Sequence, residues 1–420
     1  MESRFGTAQS NAKPFSSWIE VNLDALEHNL RLLQEHSKVP ILPILKGDAY
    51  GHGAPVVSAF LKSRGYGLLG VSSLEEALSI LQITPVRLLV LTPPLLDQLA
   101  PLLQHRLLAT ITSASIIPHL GRIAKERRQY VTVHVKVDTG FGRLGAAPDE
   151  LVDLVRQIQK TPYLRLGGVF THFSVAFSDT RYTQQQLRTF LALKDQLTKM
   201  GTYPDLLWHA ANSAAFLTLP ASHLDLVRLG TLLYGQSPVS LDPPWDLAET
   251  WQFKTRIIEI RTLPKGHSVG YGRLFRTKET TRIGVIPVGY GLGLELEPQS
   301  TPWRQIKQAL GKGLKGQHFV FHPQGPLPIL GRVGMGLTSV DLTRTPDIQV
   351  GDEVYVAMRR VTASAHVPRF YYQNGAIKCI YWNHKIFSHG QWKTSSRGLF
   401  AKESLLHYDS APDAHSRCGQ

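Results

Sequence analysis

Residues 41–46 read Ile41-Leu-Pro-Ile-Leu-Lys46, a short apolar run that ends in a lysine. A run of this kind, without polar alternation, is typical of a strand buried on both faces because helices cover a parallel sheet from either side. Seven more such runs recur along the first half of the chain, each followed by turn residues and a helical pattern. The eight runs are residues 41–45, 67–71, 87–91, 107–111, 132–137, 166–170, 206–210 and 226–229.

Amphipathic segments lie between the runs and predict helices. Leu26, Leu30 and Leu33 indicate a helix before the first run. In a later segment two acidic residues precede apolar residues at i, i+3, i+4 and i+7: Asp149, Glu150, Leu151, Leu154, Val155 and Ile158. Eight strand–helix units over about 200 residues predict a (β/α)8 TIM barrel, an α/β fold whose active site lies at the C-terminal ends of its strands.

The pattern changes after residue 245. Apolar runs at 253–260, 283–288, 327–330 and 352–356 are close together, punctuated by Gly and Pro, with little helix between them. This predicts a second, mostly β domain. We therefore divide the chain into an N-terminal extension (1–17), the barrel (18–245), a C-terminal β domain (246–395) and a flexible tail (396–420).

Composition narrows the class of protein. The 420 residues carry a formal net charge of +14, but the basic residues are scattered, which favours a solvated basic face over a nucleic-acid surface. Two cysteines, Cys379 and Cys418, indicate a reduced, cytoplasmic protein without a cysteine-based metal site. Neither a signal peptide nor a membrane span is expected, because no apolar segment of sufficient length occurs.

One nucleotide-binding motif occurs and is set aside. Gly140-Phe-Gly-Arg-Leu-Gly145 matches GxGxxG between a strand and a helix. A dinucleotide site also needs an acidic residue about 20 positions on, at the end of the next strand. The next run continues instead into Thr171-His172-Phe173, without a carboxylate.

Polar residues follow the predicted strands where a barrel enzyme places its site. They are Lys46, Arg143, His172, Asn212, Ser213, Gly230 and Thr231, with Arg228 near the end of the eighth strand. Lys46 has two interpretations on its own. An ammonium held by apolar walls has a lowered pKa, which suits Schiff-base chemistry with an aldehyde. Alternatively, the side chain extends out of the barrel mouth into water.

The sequence around Lys46 resembles one family. Leu45-Lys46-Gly-Asp-Ala-Tyr-Gly-His-Gly53 is similar to the pyridoxal-phosphate lysine motif of alanine racemases, which belong to fold-type III. Ordered matches continue over about residues 17–385, at 136–145, 170–174, 209–213, 227–235, 269–272, 286–291 and 331–335. The resemblance implies a homodimer with shared active sites that interconverts L- and D-alanine, supplying D-alanine for peptidoglycan.

The resemblance also implies a role for each matched residue. Lys46 would hold pyridoxal 5'-phosphate as a Schiff base and act as one base at Cα, and Tyr271 from the partner subunit would be the other. Arg143 and the backbone of Met335 would bind substrate, supported by Lys136, which is carbamylated in some relatives. The cofactor would contact Tyr50, His172, Asn212, Ser213, Arg228, Gly230 and Thr231, with His209 and Tyr290 in support.

The sequence departs from the family near the predicted entrance. Gly336 replaces an acidic residue after Met335, and Gly291-Leu-Gly293 replaces Ala-Asp-Gly. The segment before Val367-Pro-Arg369 lacks the family's Tyr-Glu pair, since Tyr355 is two residues early. These departures keep two alternatives open: a racemase of the same fold for another amino acid (serine, lysine or a broad range), and a non-enzymatic pyridoxal-phosphate-binding protein.

Overall fold

The computed structural model describes residues 14–201, 203, 205–240, 245–296, 320–388 and 390–393. The chain forms a barrel of parallel strands followed by a mostly β region, as the sequence predicts. The tail predicted at 396–420, Cys418 within it, and all but the last residues of the predicted N-terminal extension lie outside the described residues.

Parallel strands at the eight predicted positions form the barrel. After β1 (Ser17–Asn22), which lies outside it, the barrel strands are β2 (Ile41–Pro43), β3 (Leu68–Val71), β4 (Arg87–Val90), β5 (Ala109–Ile111), β6 (Val131–Lys136), β7 (Leu164–Phe170), β8 (Leu207–His209) and β9 (Val227–Leu229). β2 pairs with β9, β3 with β4, and β5 to β8 form one sheet. Single bridges, Ile44 to Gly70 and Leu89 to Leu108, join these pairs. The backbone N–H of Asp225 donates to Trp208 O (3.0 Å) and links β8 to β9, which closes the barrel.

Helices cover the barrel strands. They are α1 (Leu23–His36), α2 (Lys46–Gly51), α3 (Ala54–Ser63), α4 (Leu74–Leu81), α5 (Leu99–Gln104), α6 (Ile117–Glu126), α7 (Leu151–Lys160), α8 (Thr180–Met200) and α9 (Ser213–Thr218). The stripe predicted for α7 is buried, and the Asn22 side chain caps α1 by accepting from Ala25 N. Short 3-10 turns occur at Leu96–Gln98, Ala114–Ile116, Pro148–Glu150, Pro220–Ser222, Tyr271–Arg273, Tyr290–Leu292 and Arg360–Thr362. Among the described helices, none combines the length and apolar character needed to cross a membrane.

The second region is built from two main sheets. Its strands are β10 (Trp251–Arg256), β11 (Glu259–Leu263), β12 (Ser268–Val269), β13 (Phe275–Arg276), β14 (Thr281–Ile286), β15 (Val320–His322), β16 (Gly325–Leu327), β17 (Ile329–Leu330), β18 (Thr338–Asp341), β19 (Glu353–Val356), β20 (Arg369–Gln373), β21 (Ala376–Trp382), β22 (Lys385–Ser388) and β23 (Gln391–Lys393). The larger sheet has the order β16-β15-β19-β10-β1-β20-β21-β22-β23, and the smaller has β11-β14-β18-β17. The run predicted at 253–260 is thus divided between the two sheets.

The N-terminal strand changes the domain division. β1 lies inside the larger β sheet, antiparallel to β10 and parallel to β20. The barrel boundary at residue 18 is therefore corrected, because Ser17–Asn22 belongs to the sheet of the β region. Trp18, Ile19 and Val21 are fully buried there, so both faces of this strand are covered. The described part of the chain thus starts in the β region, enters the barrel through α1 and returns at β10.

Candidate active site

Lys46 stands at the mouth of the barrel, directly after the first barrel strand. It begins α2, in which Gly47, Asp48, Ala49 and Tyr50 all adopt left-handed backbone angles, with φ between 54° and 61°. A left-handed turn costs roughly 1–2 kcal/mol for each residue that carries a Cβ. Strain of this kind persists only where surrounding contacts hold it, and it is common at functional sites.

The β region holds this turn in place. The Asp48 carboxylate accepts from Ala54 N (2.7 Å) and pairs with the guanidinium of Arg369 (3.0 Å), which is itself almost fully buried. The indole of Trp251 and the Nε of Arg369 both donate to Gly51 O, at 3.1 and 3.2 Å. The position of Lys46 and Tyr50 therefore depends on contacts between the barrel and the β region.

Arg228 is buried beneath the mouth, where its two terminal nitrogens are fully used. Nη1 donates to His209 O (2.8 Å), and Nη2 donates to Thr171 O (2.6 Å) and Ala210 O (3.0 Å). Burial lowers the pKa of Arg228 to about 9, which still leaves it a cation at neutral pH. Its Nε–H has no acceptor within the described part of the chain, so one fixed donor is left for a ligand.

Two histidines flank Arg228 in their neutral form. Nη1 donates to His209 Nδ1 (3.0 Å) and Nη2 lies 3.4 Å from His172 Nδ1. Because a guanidinium only donates, His209 carries its proton on Nε2 and donates it to His134 Nδ1 (3.0 Å). Burial, and then the charge of Arg228, hold the pKa of His172 and His209 well below its ordinary value.

Hydroxyls and amides of four residues adjoin Lys46, whose Nζ lies 5.8 Å from the Tyr50 ring; we call this group, Tyr50, Ser213, Gly230 and Thr231, the anion cradle. Thr231 hydrogen-bonds to the Tyr50 hydroxyl, and Gly230 N donates to Ser213 Oγ (3.2 Å). A Cβ on Gly230 would lie against the Tyr50 ring and hydroxyl, so any larger residue there would displace Tyr50. Burial raises the pKa of Tyr50 to about 12, which keeps its hydroxyl a donor. These hydroxyls and amides can bind a phosphate without a charged side chain.

Unlike the other residues predicted to contact the cofactor, Asn212 uses its side chain to cap a helix. Its side chain accepts from Ala215 N (3.0 Å) and caps α9, so in this structure it supports the cradle rather than lining it.

Arg143 and Lys136, the residues predicted for the substrate side, line one pocket at the mouth. Arg143 is exposed, and its guanidinium stacks over the Phe141 ring at 4.2 Å. Asp138 shapes this loop by accepting from the backbone N–H groups of residues 140, 141 and 142 (2.7–2.8 Å). Lys136 is buried behind the loop, and burial followed by the charges of Arg228 and Arg143 lowers its pKa to about 8. Burial, the charge of Arg143 and that of Arg228 likewise lower the pKa of Lys46, opposed by Glu76.

Tyr271, Tyr290 and Met335 cluster on the β region instead. Gly291 N donates to Met335 O (2.9 Å), and a Cβ on Gly331 would meet Val269 O, so the three loops adjoin. Tyr271 and Met335 are 74% and 67% exposed. No described contact joins Tyr271 to the barrel mouth of its own chain.

Three residues of the site were not predicted from the sequence. Asp138 organises the Arg143 loop, Arg369 holds the Lys46 turn, and Glu76 accepts from Gly47 N (2.6 Å). A signal existed for two of them. Asp138-Thr-Gly is typical of a side-chain turn, and Ser73 followed three residues later by Glu76 matches the sequence pattern of a capping box, although Glu76 accepts from Ser72 and not from Ser73 N. Neither pattern says that the residue lies beside a lysine.

The fold and the site together define a two-domain barrel enzyme whose mouth suits pyridoxal phosphate. The residues present fit that group: an amine at Lys46, the anion cradle, and an Nε–H of Arg228 that has no acceptor among the described residues. The described residues contain no cluster of His, Cys, Asp and Glu suited to a metal.

Comparison with known proteins gives the family. The family models described as alanine racemase N-terminal domain and C-terminal domain match residues 21–238 and 250–378. Alanine racemase 1 of Caldanaerobacter subterraneus is 35% identical over 346 residues, covering 80% of this chain and 84% of that protein. Alanine racemase of Sorangium cellulosum is 36% identical over 346 residues, covering 80% and 86%. The chain belongs to the alanine racemase family.

Solved structures agree with this assignment. An alanine racemase of Clostridium difficile has a TM-score of 0.79 at 26% identity, covering 88% of this chain and 99% of that one. The alanine racemase of Bacillus anthracis with bound L-Ala-P has a TM-score of 0.76 at 27% identity, covering 88% and 98%.

Proposed function

We propose that this protein is a pyridoxal-phosphate-dependent racemase that interconverts L- and D-alanine by a two-base mechanism. The observation that carries the proposal is Lys46 at a strand end, with its Nζ 5.8 Å from the Tyr50 ring of the anion cradle and its pKa lowered in part by the charge of the buried Arg228. Family membership favours alanine over serine or lysine as substrate. The match to the C-terminal domain also disfavours a non-enzymatic barrel protein, in which the β region would have no role.

The cofactor would be held by residues on both sides of Lys46. Tyr50, Ser213, Gly230 and Thr231 would bind its phosphate, and Arg228 would donate Nε–H to its ring nitrogen. When bound, pyridoxal phosphate makes the Cα proton of an amino acid acidic by withdrawing electron density. Because Arg228 only donates, it leaves the ring nitrogen unprotonated, and this favours proton exchange over transamination.

Inversion at Cα needs a proton acceptor on each face of the substrate. A single fixed base returns the proton to the face from which it took it. Lys46 Nζ would move the proton on one face and the Oη of the partner subunit's Tyr271 on the other. Arg143 would hold the substrate carboxylate by charge-assisted hydrogen bonds. His172 shares its Nδ1 with Arg228 and would keep that side of the mouth polar but uncharged.

A homodimer is part of this proposal. Apolar side chains around Tyr271 are unusually exposed: Tyr271 (74%), Leu274 (74%), Met335 (67%) and Leu337 (55%). A patch of this kind marks an interaction surface in a well-packed protein. A second copy of the chain would cover it and bring Tyr271 and Met335 to the mouth of the neighbouring barrel.

The proposed biological role is the supply of D-alanine for peptidoglycan in the cytoplasm. The chain's two cysteines agree with a reducing compartment. We propose neither a nucleic-acid nor a membrane partner, because the site we assign is built for a small zwitterion and an anionic cofactor.

Racemisation in D2O tests this function directly. We expect L-alanine to gain deuterium at Cα and to convert to D-alanine. We expect Lys46→Ala to abolish both the conversion and the visible absorbance of the bound cofactor, with Lys125→Ala, at an exposed lysine, as the control. A colourless protein after reconstitution would refute the cofactor assignment. Serine and lysine are tested in the same assay. If either turned over faster than alanine, the assignment of alanine as the substrate would be refuted.

A further inference from the structure

Glu76 joins the loops that follow the first two barrel strands. Its Oε1 accepts from Gly47 N (2.6 Å), the amide directly after Lys46. Its Oε2 accepts from the backbone N–H and the hydroxyl of Ser72, both at 2.8 Å. Ser73 caps the helix that carries Glu76 by accepting its N–H (3.3 Å). Both carboxylate oxygens are therefore committed, and the side chain is fixed between Ser72 and Gly47.

The left-handed turn makes this contact important for Lys46. Gly47 is the first residue with positive φ (61°), and the three that follow it carry a Cβ. The β region holds the far end of the turn through Asp48 and Gly51. At the near end, Glu76 holds the Gly47 amide from within the barrel.

Glu76 also has a distinct place in the charge distribution around Lys46. The charged and titratable groups that face Lys46 are Arg143, Arg228, Lys136, His172 and Glu76, with Asp48 and Tyr50 on its own turn. Three of these are cations, and Glu76 is the acid that acts on Lys46 against them. The two side chains form no direct ion pair within the described structure, so Glu76 acts on the ammonium through space.

We propose that Glu76 is a positioning residue for Lys46, which fixes the start of its turn and supplies the negative charge that offsets the neighbouring guanidinium groups. The inference rests on the proposed function in that it assumes Lys46 to be a base. Glu76 touches neither substrate nor cofactor in this scheme and acts through Lys46.

Glu76→Gln tests the charge on the full-length chain freed of cofactor. The pH dependence of Lys46 modification by an amine-reactive reagent, followed by peptide mass analysis, gives the protonation midpoint of Lys46. We expect the midpoint to fall by about one pH unit, because a nearby opposite charge shifts an amine by that order. Glu75→Gln, at an exposed neighbour that contacts Gln98, is the matched control and leaves the midpoint unchanged. An unchanged or raised midpoint in Glu76→Gln would overturn the electrostatic role.

Glu76→Asp tests the positioning. Aspartate keeps the charge but is one methylene too short to reach both Ser72 and Gly47. We expect a midpoint near that of the parent and a kcat about ten-fold lower, with KM for alanine little changed because Arg143 is untouched. Unreduced kcat would overturn the positioning role, as would an equal fall in Glu75→Asp.

The labelling result does not depend on racemase activity, so it decides the role of Glu76 even if alanine proves to be the wrong substrate. Thermal melting of each variant gives the fraction folded and corrects both measurements for lost protein.

Discussion

Cations outnumber acids among the described residues of the barrel mouth. Lys46, Lys136 and Arg228 all have a pKa lowered first by burial, and Arg143 adds a fourth positive charge. The Asp138 carboxylate on the same loop accepts from backbone amides instead of pairing with a cation in the described part of the chain. Such a mouth attracts a phosphate and a carboxylate. Burying these positive charges, however, lowers the stability of the folded protein.

The loss of stability caused by burying the Lys136 ammonium depends on pH. Its pKa is about 8 in the folded chain and 10.5 in the unfolded one. Below pH 8 both states carry the proton, so the cost is fully present. Between these values the unfolded state binds the extra proton, and stability therefore rises with pH. We expect Lys136→Met to raise the free energy of unfolding at neutral pH by at most about 3 kcal/mol, a gain that shrinks in alkaline buffer.

Urea denaturation of the cofactor-free chain at several pH values measures this gain. Lys160→Met, at an exposed lysine, is the control. A loss of stability at neutral pH, or a gain that does not change with pH, would contradict the electrostatic origin.

Arg228 illustrates the opposite case, a buried charge that the structure cannot lose. Three carbonyl oxygens depend on its forked guanidinium. Lysine has a single donor centre and cannot reach all three. We expect Arg228→Lys to lower the free energy of unfolding by about 3 kcal/mol, because buried acceptors are left unpaired. Denaturant melts compared with exposed Arg127→Lys check this, and equal stability of the two variants would count against it.

At the level of elements, the left-handed turn of α2 links the two regions of the chain. Gly51 ends the turn with φ +85°, and a Cβ there would meet Arg360 O at 2.1 Å. Gly65 has a nearly identical φ of +90° but faces open space. Comparing substitutions at these two glycines therefore distinguishes the cost of backbone strain from the cost of a steric clash.

We expect Gly65→Ala to lose roughly 1–2 kcal/mol of unfolding free energy, which is the strain of the left-handed conformation alone. Gly51→Ala adds a clash with backbone that cannot move cheaply, so its loss should be larger by at least about 2 kcal/mol. We also expect it to weaken cofactor binding, since Tyr50 precedes it directly. Thermal melting and cofactor titration measure the two effects, and equal losses would refute the packing of Arg360 against the turn.

The same elements explain how far the sequence could be interpreted. The eight barrel strands are confirmed because each is a short apolar run buried on both faces, a signal that is local. The turn at Lys46–Gly51 could not be predicted, since Asp48, Ala49 and Tyr50 disfavour positive φ and adopt it only under tertiary contacts. The site residues stay predictions, although the structure gathers most of them at one mouth.

At the scale of the whole molecule, the sequence does not predict which distant strands pair with one another. β1 pairs with strands at least 230 residues away, as in Ser17 with Thr255. No local pattern carries such information, so the sequence predicts that residue 18 belongs to the barrel. The net charge of +14 has only a small part in the site, where we predict roles for only a few cations.

In the proposed dimer, residues from two chains together complete each active site. Lys46→Ala and Tyr271→Phe should each remove one of the two bases and leave little racemisation. If Tyr271 serves the partner's barrel, a mixed dimer of these variants contains one site with both bases intact. Unfolding and refolding the variants together in equal amounts should then restore about a quarter of parental activity, because half of the dimers are mixed and each has one working site. The separately refolded variants are the control. A mixture as inactive as its components would mean that Tyr271 acts within its own chain or not at all.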